Sequence, residues 1–457
     1  MQGIDYFSEK PCRKMKGKSP NQDQRNLFLP ILKDIINPKN ELAVLSNQIN
    51  WKTFEDEFSE LYSHTGQPGM PIRMMVGLLL LKRIYNLGDE TVMEQWLQNP
   101  YYQYFCGESE FQWKYPCDPS DLVHFRKRIG KDGVEKIFQL SVDTRRDEIR
   151  TKDVLVDTTA QEKNITYPTD AKLLIKVIKQ CNKIAGKENI DQRQTYKRTF
   201  KKLLLKQRFA HHPKRRKQAS AALRKLRTIA GRLVRELERK LSQNAKKAYA
   251  DNLINFKKII AQKRIDKNKI YSLHEPEVAC IAKGKAHKKF EFGSKVSFAV
   301  VPGVNIIVGV KNFNGNPNDS TTLEPTLDHV EKNCGKQFKN ALVDRGYKGK
   351  TKVGDITIVS PKLPNAKQPY SKTTMRKKCR KRAAVEPVIG HVKQDCRMQR
   401  NYLKGNIGND INALLAAAGF NFRGLLRKIK REILLPLFLI NRYFNQYAIK
   451  PILIENI

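Results

Sequence analysis

No stretch of this 457-residue chain is apolar for long. The longest run, Ile433 to Ile440, covers eight residues and is interrupted by Pro436, whereas a spanning helix needs about 20. The first residues hold no apolar h-region of the secretory type, so neither export nor a membrane anchor is expected. The eight cysteines are scattered and no CxxC pair occurs. That spacing argues against a disulfide framework or a zinc ribbon and for buried thiols in a reducing cytosol. There is no internal repeat and no low-complexity tract. Acids are also scarce, with 45 Asp and Glu against 87 Lys and Arg, a net charge of +42. Such an excess predicts a polyanionic partner, nucleic acid or an anionic membrane surface. Hydrophobic residues make up 40% and aromatics 9%, enough for a sizeable buried core.

The charge is unevenly placed. Residues 1–150 are neutral overall, with 21 bases and 21 acids, while residues 171–270 hold 31 Lys and Arg against 6 Asp and Glu. Residues 1–150 read as an all-α N-terminal domain. Pro71 opens an apolar helix through Met74, Leu78, Leu81 and Ile84, with Gly88 as its stop. Asp89 caps the next helix, which Asn99-Pro100 ends. Ser120 caps a third, with Leu122, Phe125 and Ile129 inward and Gly130 after it. Arg126, Lys127 and Arg128 fall on its outer side and are candidate DNA contacts.

Residues 171–271 read as a basic helical insertion. Leu223, Leu226, Ala230, Leu233 and Leu237 form a seam spaced 3 and 4 apart, and Tyr196, Phe200 and Leu203 form a shorter one. His211-His212-Pro213 marks the turn between them, giving a helical hairpin. With so few acids the charges are too lopsided for a merely solvated surface, which predicts binding to a phosphate backbone. Lys214, Arg215 and Arg216 are the candidate contacts.

Strands flank this insertion. Val154-Leu155-Val156 is a buried strand ending in Asp157. A period-2 strand runs through Phe290, Phe292, Val296, Phe298 and Val300, and a return strand follows from Ile306. Asp319 and Ser320 cap a helix. Ala341-Leu342-Val343 is a second buried strand, ending in Asp344, and Ile356 to Val359 is another. A helix around Glu386 comes last. The order predicts an α/β fold with a mixed sheet. In such sheets, sites assemble at the carboxyl ends of strands. Asp157, Asp344 and Glu386 would repel one another unless cations bind among them. Oxygen donors suit Mg²⁺, with Mn²⁺ able to substitute. Two such ions would serve phosphodiester cleavage or transfer. Asp153, at the start of its strand, and Asp319, placed as a helix cap, are rival carboxylates. His391 reads as structural.

At these residues the chain resembles the bacterial DDE insertion-sequence transposases, in particular the insertion-sequence-five group. Val154-Leu155-Val156-Asp157-Thr158-Thr159 is similar to the first-Asp strand of that family. Asp344-Arg345-Gly346-Tyr347 is similar to its D-x-G-Y element. Arg382, Glu386 and Lys393 fit the spacing of its Y-x2-R-x3-E-x6-K pattern, with Cys379 in place of the Tyr. The segments HFRKRIG at 124–130, GNPNDSTTLEP at 315–325 and Asn412 to Arg423 extend the likeness over most of residues 40–425. The resemblance implies an RNase H-like catalytic domain over 151–170 and 272–425, the insertion at 171–271 and a tail at 426–457. It implies that Asp157 bridges two Mg²⁺ ions, with Asp344 and Glu386 each completing one. Arg382 and Lys393 would hold the transposon-end DNA. The partners it implies are double-stranded DNA, as terminal inverted repeats and as target, and a second copy of the chain on DNA, acting in the bacterial cytoplasm at the nucleoid. The rival functions are a nuclease or resolvase without strand transfer and a domesticated, non-catalytic DNA-binding protein. Pro387 predicts that the last helix begins close to Glu386, leaving Arg382 off the shared face.

Overall fold

The structure is a computed structural model. It describes residues 15–17, 29–63, 65–263, 265–282, 289–335, 337–347, 351–360, 377 and 380–447, with side chains through 434. From residue 29 to the first strand the described chain is helical: α1 (Leu32–Ile35), α2 (Glu41–Gln48), α3 (Trp51–Ser59), α4 (Ile72–Ile84), α5 (Asp89–Gln98), α6 (Pro100–Phe105) and α7 (Pro119–Asp143). Several boundaries differ from the sequence expectation by a residue or two. Gly88 is the cap of α5 and does not stop α4, and Asp89 is the first helical residue. Helix α7 is capped by Asp118 and not by Ser120. Asp118 and Asp121 form a reciprocal capping box, and Pro119 occupies the first turn, where its missing N–H costs nothing. Gly130 kinks the helix without ending it, at φ 61°, a left-handed conformation that suits glycine.

Among the described residues a mixed eight-stranded sheet follows. It comprises β1 (Asp153–Lys163), β2 (Ala279–Ala282), β3 (Phe290–Val301), β4 (Ile306–Phe313), β5 (Asn340–Leu342), β6 (Lys352–Val353), β7 (Ile356–Val359) and β8 (Arg400–Asn401). The hairpin β3–β4 lies antiparallel on one edge of β1. On the other edge β5 and then β7 run parallel to β1. Helix α13 (Asp319–Cys334) follows β4, and α14 (Val385–Asp395) and α15 (Gly405–Tyr447) follow the sheet. Val154, Leu155 and Val156 are fully buried, as are Val296, Phe298 and Val300. The strand does not end at Asp157, as the sequence reading had it, but continues to Lys163. β5 stops opposite Leu155 and β8 begins opposite Glu162. Between them one edge of β1 has no strand partner among the described residues, and Asp157 sits at that notch.

One continuous apolar core joins the N-terminal helices, both faces of the sheet and helices α13 to α15. Buried polar side chains knit these parts. Arg83 of α4 donates to the Asn412 side chain of α15 at 2.9 Å, and Asn412 donates to Gln161 of β1 at 2.7 Å. The amide of Asn421 pairs with both backbone groups of Ile307, each at 2.9 Å, so a side chain substitutes for a neighbouring strand. These contacts give a physical role to the Asn412 to Arg423 stretch.

The insertion has its own core. It is not a two-helix hairpin. Helices α8 (Asp170–Lys187), α9 (Lys197–Gln207), α10 (Pro213–Lys240), α11 (Gln243–Ala248) and α12 (Ala250–Ala261) share it. Leu226, Ala230, Leu233 and Leu237 of α10 are fully buried. The apolar faces of α8 (Leu174, Val177, Ile178, Cys181) and α12 (Phe256, Ile259) complete that core. A single hairpin would have left half of it bare to water. At the base of the insertion, Lys163 and Glu275 form a buried pair at 3.2 Å. Lys163 also donates to the Gly405 carbonyl at 3.2 Å, and Glu275 accepts from the Gly405 N–H at 3.1 Å. None of the six cysteines among the described residues forms a disulfide, and four of them are buried; Cys12 and Cys379 lie outside the described residues. No helix among the described residues is long and apolar enough to cross a membrane.

Candidate active site

Asp157 projects from the unpaired edge of β1. Its Oδ1 accepts the Thr158 N–H at 2.8 Å. Its Oδ2 accepts from the Arg382 guanidinium at 2.9 Å. Burial pushes the Asp157 carboxyl above the ordinary aspartate range; Arg382 pulls it back, and the nearby charge of Asp344 adds to the push. Asp344 lies two residues past the end of β5, and its Oδ1 accepts the Gly346 N–H at 2.8 Å. Tyr347 is fully buried beneath this turn. Burial drives its phenol far above the usual range, helped by the charges of Asp157, Asp319 and Asp344.

Glu386 is the second residue of α14, as the position of Pro387 requires. Residues 380–383 are also helical, with a break at Ala384. The winding nevertheless brings Arg382 one turn back onto the face of Glu386, at 3.5 Å, contrary to the sequence expectation. One guanidinium thus spans Asp157 and Glu386. Of the three side chains, Asp157 is 14% exposed, Arg382 21% and Glu386 64%. Lys393 lies two turns along α14, half-buried. His391 pairs with Asp395 at 3.0 Å.

Among the described residues no three His, Cys, Asp or Glu side chains are assembled into a ready metal cage. The donor set nonetheless fits a hard cation, because every candidate ligand is a carboxylate. Positive charge already sits between two of them in the form of Arg382.

Asp319 is placed differently from its reading as a helix cap. Asn318 holds the cap position and Asp319 is the first residue of α13. Its carboxylate turns to the sheet and accepts from Thr158 Oγ1 at 2.7 Å and Lys295 Nζ at 3.0 Å. Nothing in the sequence singled out Lys295, and Thr158 stood there only as a neighbour of Asp157. Asp153 accepts from the Asn340 side chain at 2.9 Å at the start of its strand, away from the notch.

The basic candidates divide by burial. Arg126 is not on the outer face of α7. It is buried and binds Asp89 through two hydrogen bonds of 2.8 Å each. Lys82 meets the same carboxylate at 2.6 Å. Helical spacing turns residue 126 inward beside Phe125, and the acid at 89 neutralises it. Arg128 stacks on the Tyr62 ring at 4.5 Å, and Lys127 is half-buried. Lys214, Arg215 and Arg216 are exposed in the first turn of α10, where no acid is present. Cations at the positive end of a helix repel its dipole, so that turn favours an anion from outside.

The mixed sheet thus carries one acid on a central strand and a second past the next parallel strand, and a following helix carries a third. Residues 267–422 match the family described as Transposase DDE domain, which implies an RNase H-like fold. Residues 30–128 match Transposase domain (DUF772). The chain is 39% identical over 204 residues to "Uncharacterized protein ORF8 in nfe locus" of Rhizobium meliloti, an alignment that takes in 43% of this chain and 98% of that protein. No solved structure matches. The chain belongs to the DDE transposases of bacterial insertion sequences.

Proposed function

We propose that this chain, as a member of the insertion-sequence-five group, binds the terminal inverted repeats of its own element and cuts and joins DNA strands there. Asp157, Asp344 and Glu386 are the acids that would hold two divalent cations, Mg²⁺ with Mn²⁺ able to substitute. When bound, such ions activate the attacking hydroxyl and stabilise the leaving oxygen. The observation that supports this reading is the Arg382 guanidinium between Asp157 and Glu386, at 2.9 and 3.5 Å. Carboxylates from the sheet and from a helix over 200 residues later share one cation.

The residues of the chain divide the remaining work. Lys393 and, once it leaves the acids, Arg382 hold the phosphate backbone next to the reacting bond. The first turn of α10, with Lys214, Arg215 and Arg216, binds backbone phosphate and positions the duplex without reading its sequence. Burial of the notch excludes water from one side of Asp157. We propose further that the protein works as a homodimer on DNA, at the nucleoid in the cytoplasm, where its substrate lies.

A cleavage and joining assay on the element's end DNA with Mg²⁺ or Mn²⁺ tests this reading. Asp157→Ala, Asp344→Ala and Glu386→Ala are expected to abolish both products while DNA binding survives. Nicks without joined strands would point to a nuclease or resolvase. Binding by the wild type without any cutting would point to a domesticated DNA-binding protein.

A further inference from the structure

We infer that Asp319 is a positioning residue of the reaction centre, a fourth carboxylate that locks the Asp344 turn and the Asp157 strand into one frame. The inference rests on the reading of Asp157 and Asp344 as metal-holding acids. It starts from where the two oxygens of Asp319 go. Oδ1 takes the Thr158 hydroxyl at 2.7 Å and the Lys295 ammonium at 3.0 Å. Thr158 immediately follows Asp157 on β1, and Lys295 lies on β3. Lys295 is itself fixed, since its ammonium also donates to the Pro317 carbonyl at 2.7 Å. A single oxygen therefore ties the start of α13 to two adjacent strands.

Oδ2 faces the other way, toward the turn after β5. A Cβ placed on Gly346 would lie 3.0 Å from Asp319 Oδ2 and 3.0 Å from Asp344 Oδ1. Real Cβ atoms rarely approach so closely, so a side chain at 346 would press on both carboxylates at once. Glycine is needed here for close approach and not for an unusual dihedral, because Gly346 is not among the positive-φ glycines. The backbone of the D-x-G-Y turn thus rests against Asp319. Two carboxylates on either side of one glycine repel, and Lys295 offsets that repulsion by neutralising the outer one. Tyr347, whose surroundings include Asp157, Asp319 and Asp344, fills the space beneath.

The alternative is a helix-end acid that only complements the dipole of α13. That role would need no lysine and no threonine from the sheet, and it would leave the Asp344 turn unaffected by substitution.

The test uses the full-length protein and two readouts. One is Mn²⁺ binding to the DNA-free protein, followed by electron paramagnetic resonance. The other is cleavage of end DNA as a function of Mn²⁺ concentration. Asp319→Ala removes the frame and is expected to weaken both by about 10–100-fold, the range seen for groups that orient metal ligands. Asp319→Asn keeps an acceptor oxygen for Thr158 and Lys295 and should recover most of the loss. Thr158→Val should act in the same direction as Asp319→Ala, more weakly, and it carries the test if the alanine variant does not fold. Wild-type Mn²⁺ binding and cleavage in Asp319→Ala, or in Thr158→Val should only that variant fold, would overturn the inference. So would an asparagine variant as defective as the alanine, since Asp319 would then be a ligand itself. Asp344→Ala separates the two levels. If it is silent, the triad reading fails. If it is defective and Asp319→Ala is silent, only this inference fails.

Discussion

In the main core, buried bases meet acids: Arg126 and Lys82 on Asp89, Arg145 on Glu148 and Lys163 on Glu275. In the insertion, 31 Lys and Arg share 6 Asp and Glu over residues 171–270, and cations such as Lys214, Arg215 and Arg216 face solvent. Both regions have an apolar interior, but they handle charge in opposite ways. The main core uses its bases to hold helices and strands together. The insertion packs on leucine, isoleucine and phenylalanine, which frees its bases for an external polyanion. A basic residue in this protein therefore has to be judged by burial, not by the charge of its neighbours in sequence.

The largest effect is expected at the notch. Asp157→Asn is expected to reduce cleavage by more than about 100-fold, beyond the cost of disturbing an outer-shell group, with DNA affinity in a filter-binding assay unchanged. Its carboxyl pKa is raised in the fold. The stability it contributes is therefore present at acid pH and is lost as pH rises through the raised value. The asparagine variant should thus melt at or above the wild-type temperature at neutral pH in the absence of metal.

Arg126→Met should destabilise the protein by about 3–5 kcal/mol, the usual cost of breaking a buried ion pair. It should leave the salt dependence of DNA binding as it was. If that dependence changes while stability holds, Arg126 contacts DNA after all. Leu233→Ala should cost the insertion about 2–5 kcal/mol. Hydrogen exchange should then show lost protection in α8 to α12 and retained protection in β1, β3 and β4, because the two cores are separate.

Replacing Lys214, Arg215 and Arg216 together with Gln should lower the slope of log affinity against log salt by up to roughly 2.7, about 0.9 per phosphate contact. Unfolding temperature should stay the same. The smallest effect concerns Lys82. Burial, with Arg126 beside it, lowers its pKa from 10.5 to about 7. Between those values the unfolded chain binds the extra proton, so stability rises with pH across that window. Lys82→Met should flatten the rise in a series of denaturant titrations.

Much of this was legible in the sequence where a pattern maps onto one element. The strand at Val154, the β3–β4 hairpin, the seam at Leu226, Ala230 and Leu233 and the α/β order all follow from periodicity. What was illegible depends on contacts between distant elements. Arg126 looks like an outer residue until Asp89, 37 positions away, arrives beside it. The extra helices around the α10 seam have weaker patterns of their own, so periodicity alone predicts only a hairpin. Asp157 looked like the end of a strand because the apolar run ends there. The strand continues because β3 still pairs with it, and β5 simply stops. The site was partly legible. Asp157, Asp344, Glu386 and Arg382 were all named, and the structure brings Asp157, Arg382 and Glu386 together. The place of Asp319 was missed because a helix-initial acid has an easy local explanation, and Lys295 carries no sequence signal at all.

The buried Lys163–Glu275 pair has a consequence for how such a chain can change over generations. The 111 residues between these two positions leave the sheet and return to it where the Lys163 ammonium meets the Glu275 carboxylate at 3.2 Å. A segment closed at its base in this way can grow or shrink at small entropic cost, about 0.6 kcal/mol per doubling of length. Insertions, deletions or wholesale exchange of the segment need not shift the register of β1 against β3. The part of the protein that meets the outside world can thus be rewritten while the part that does chemistry stays as it is.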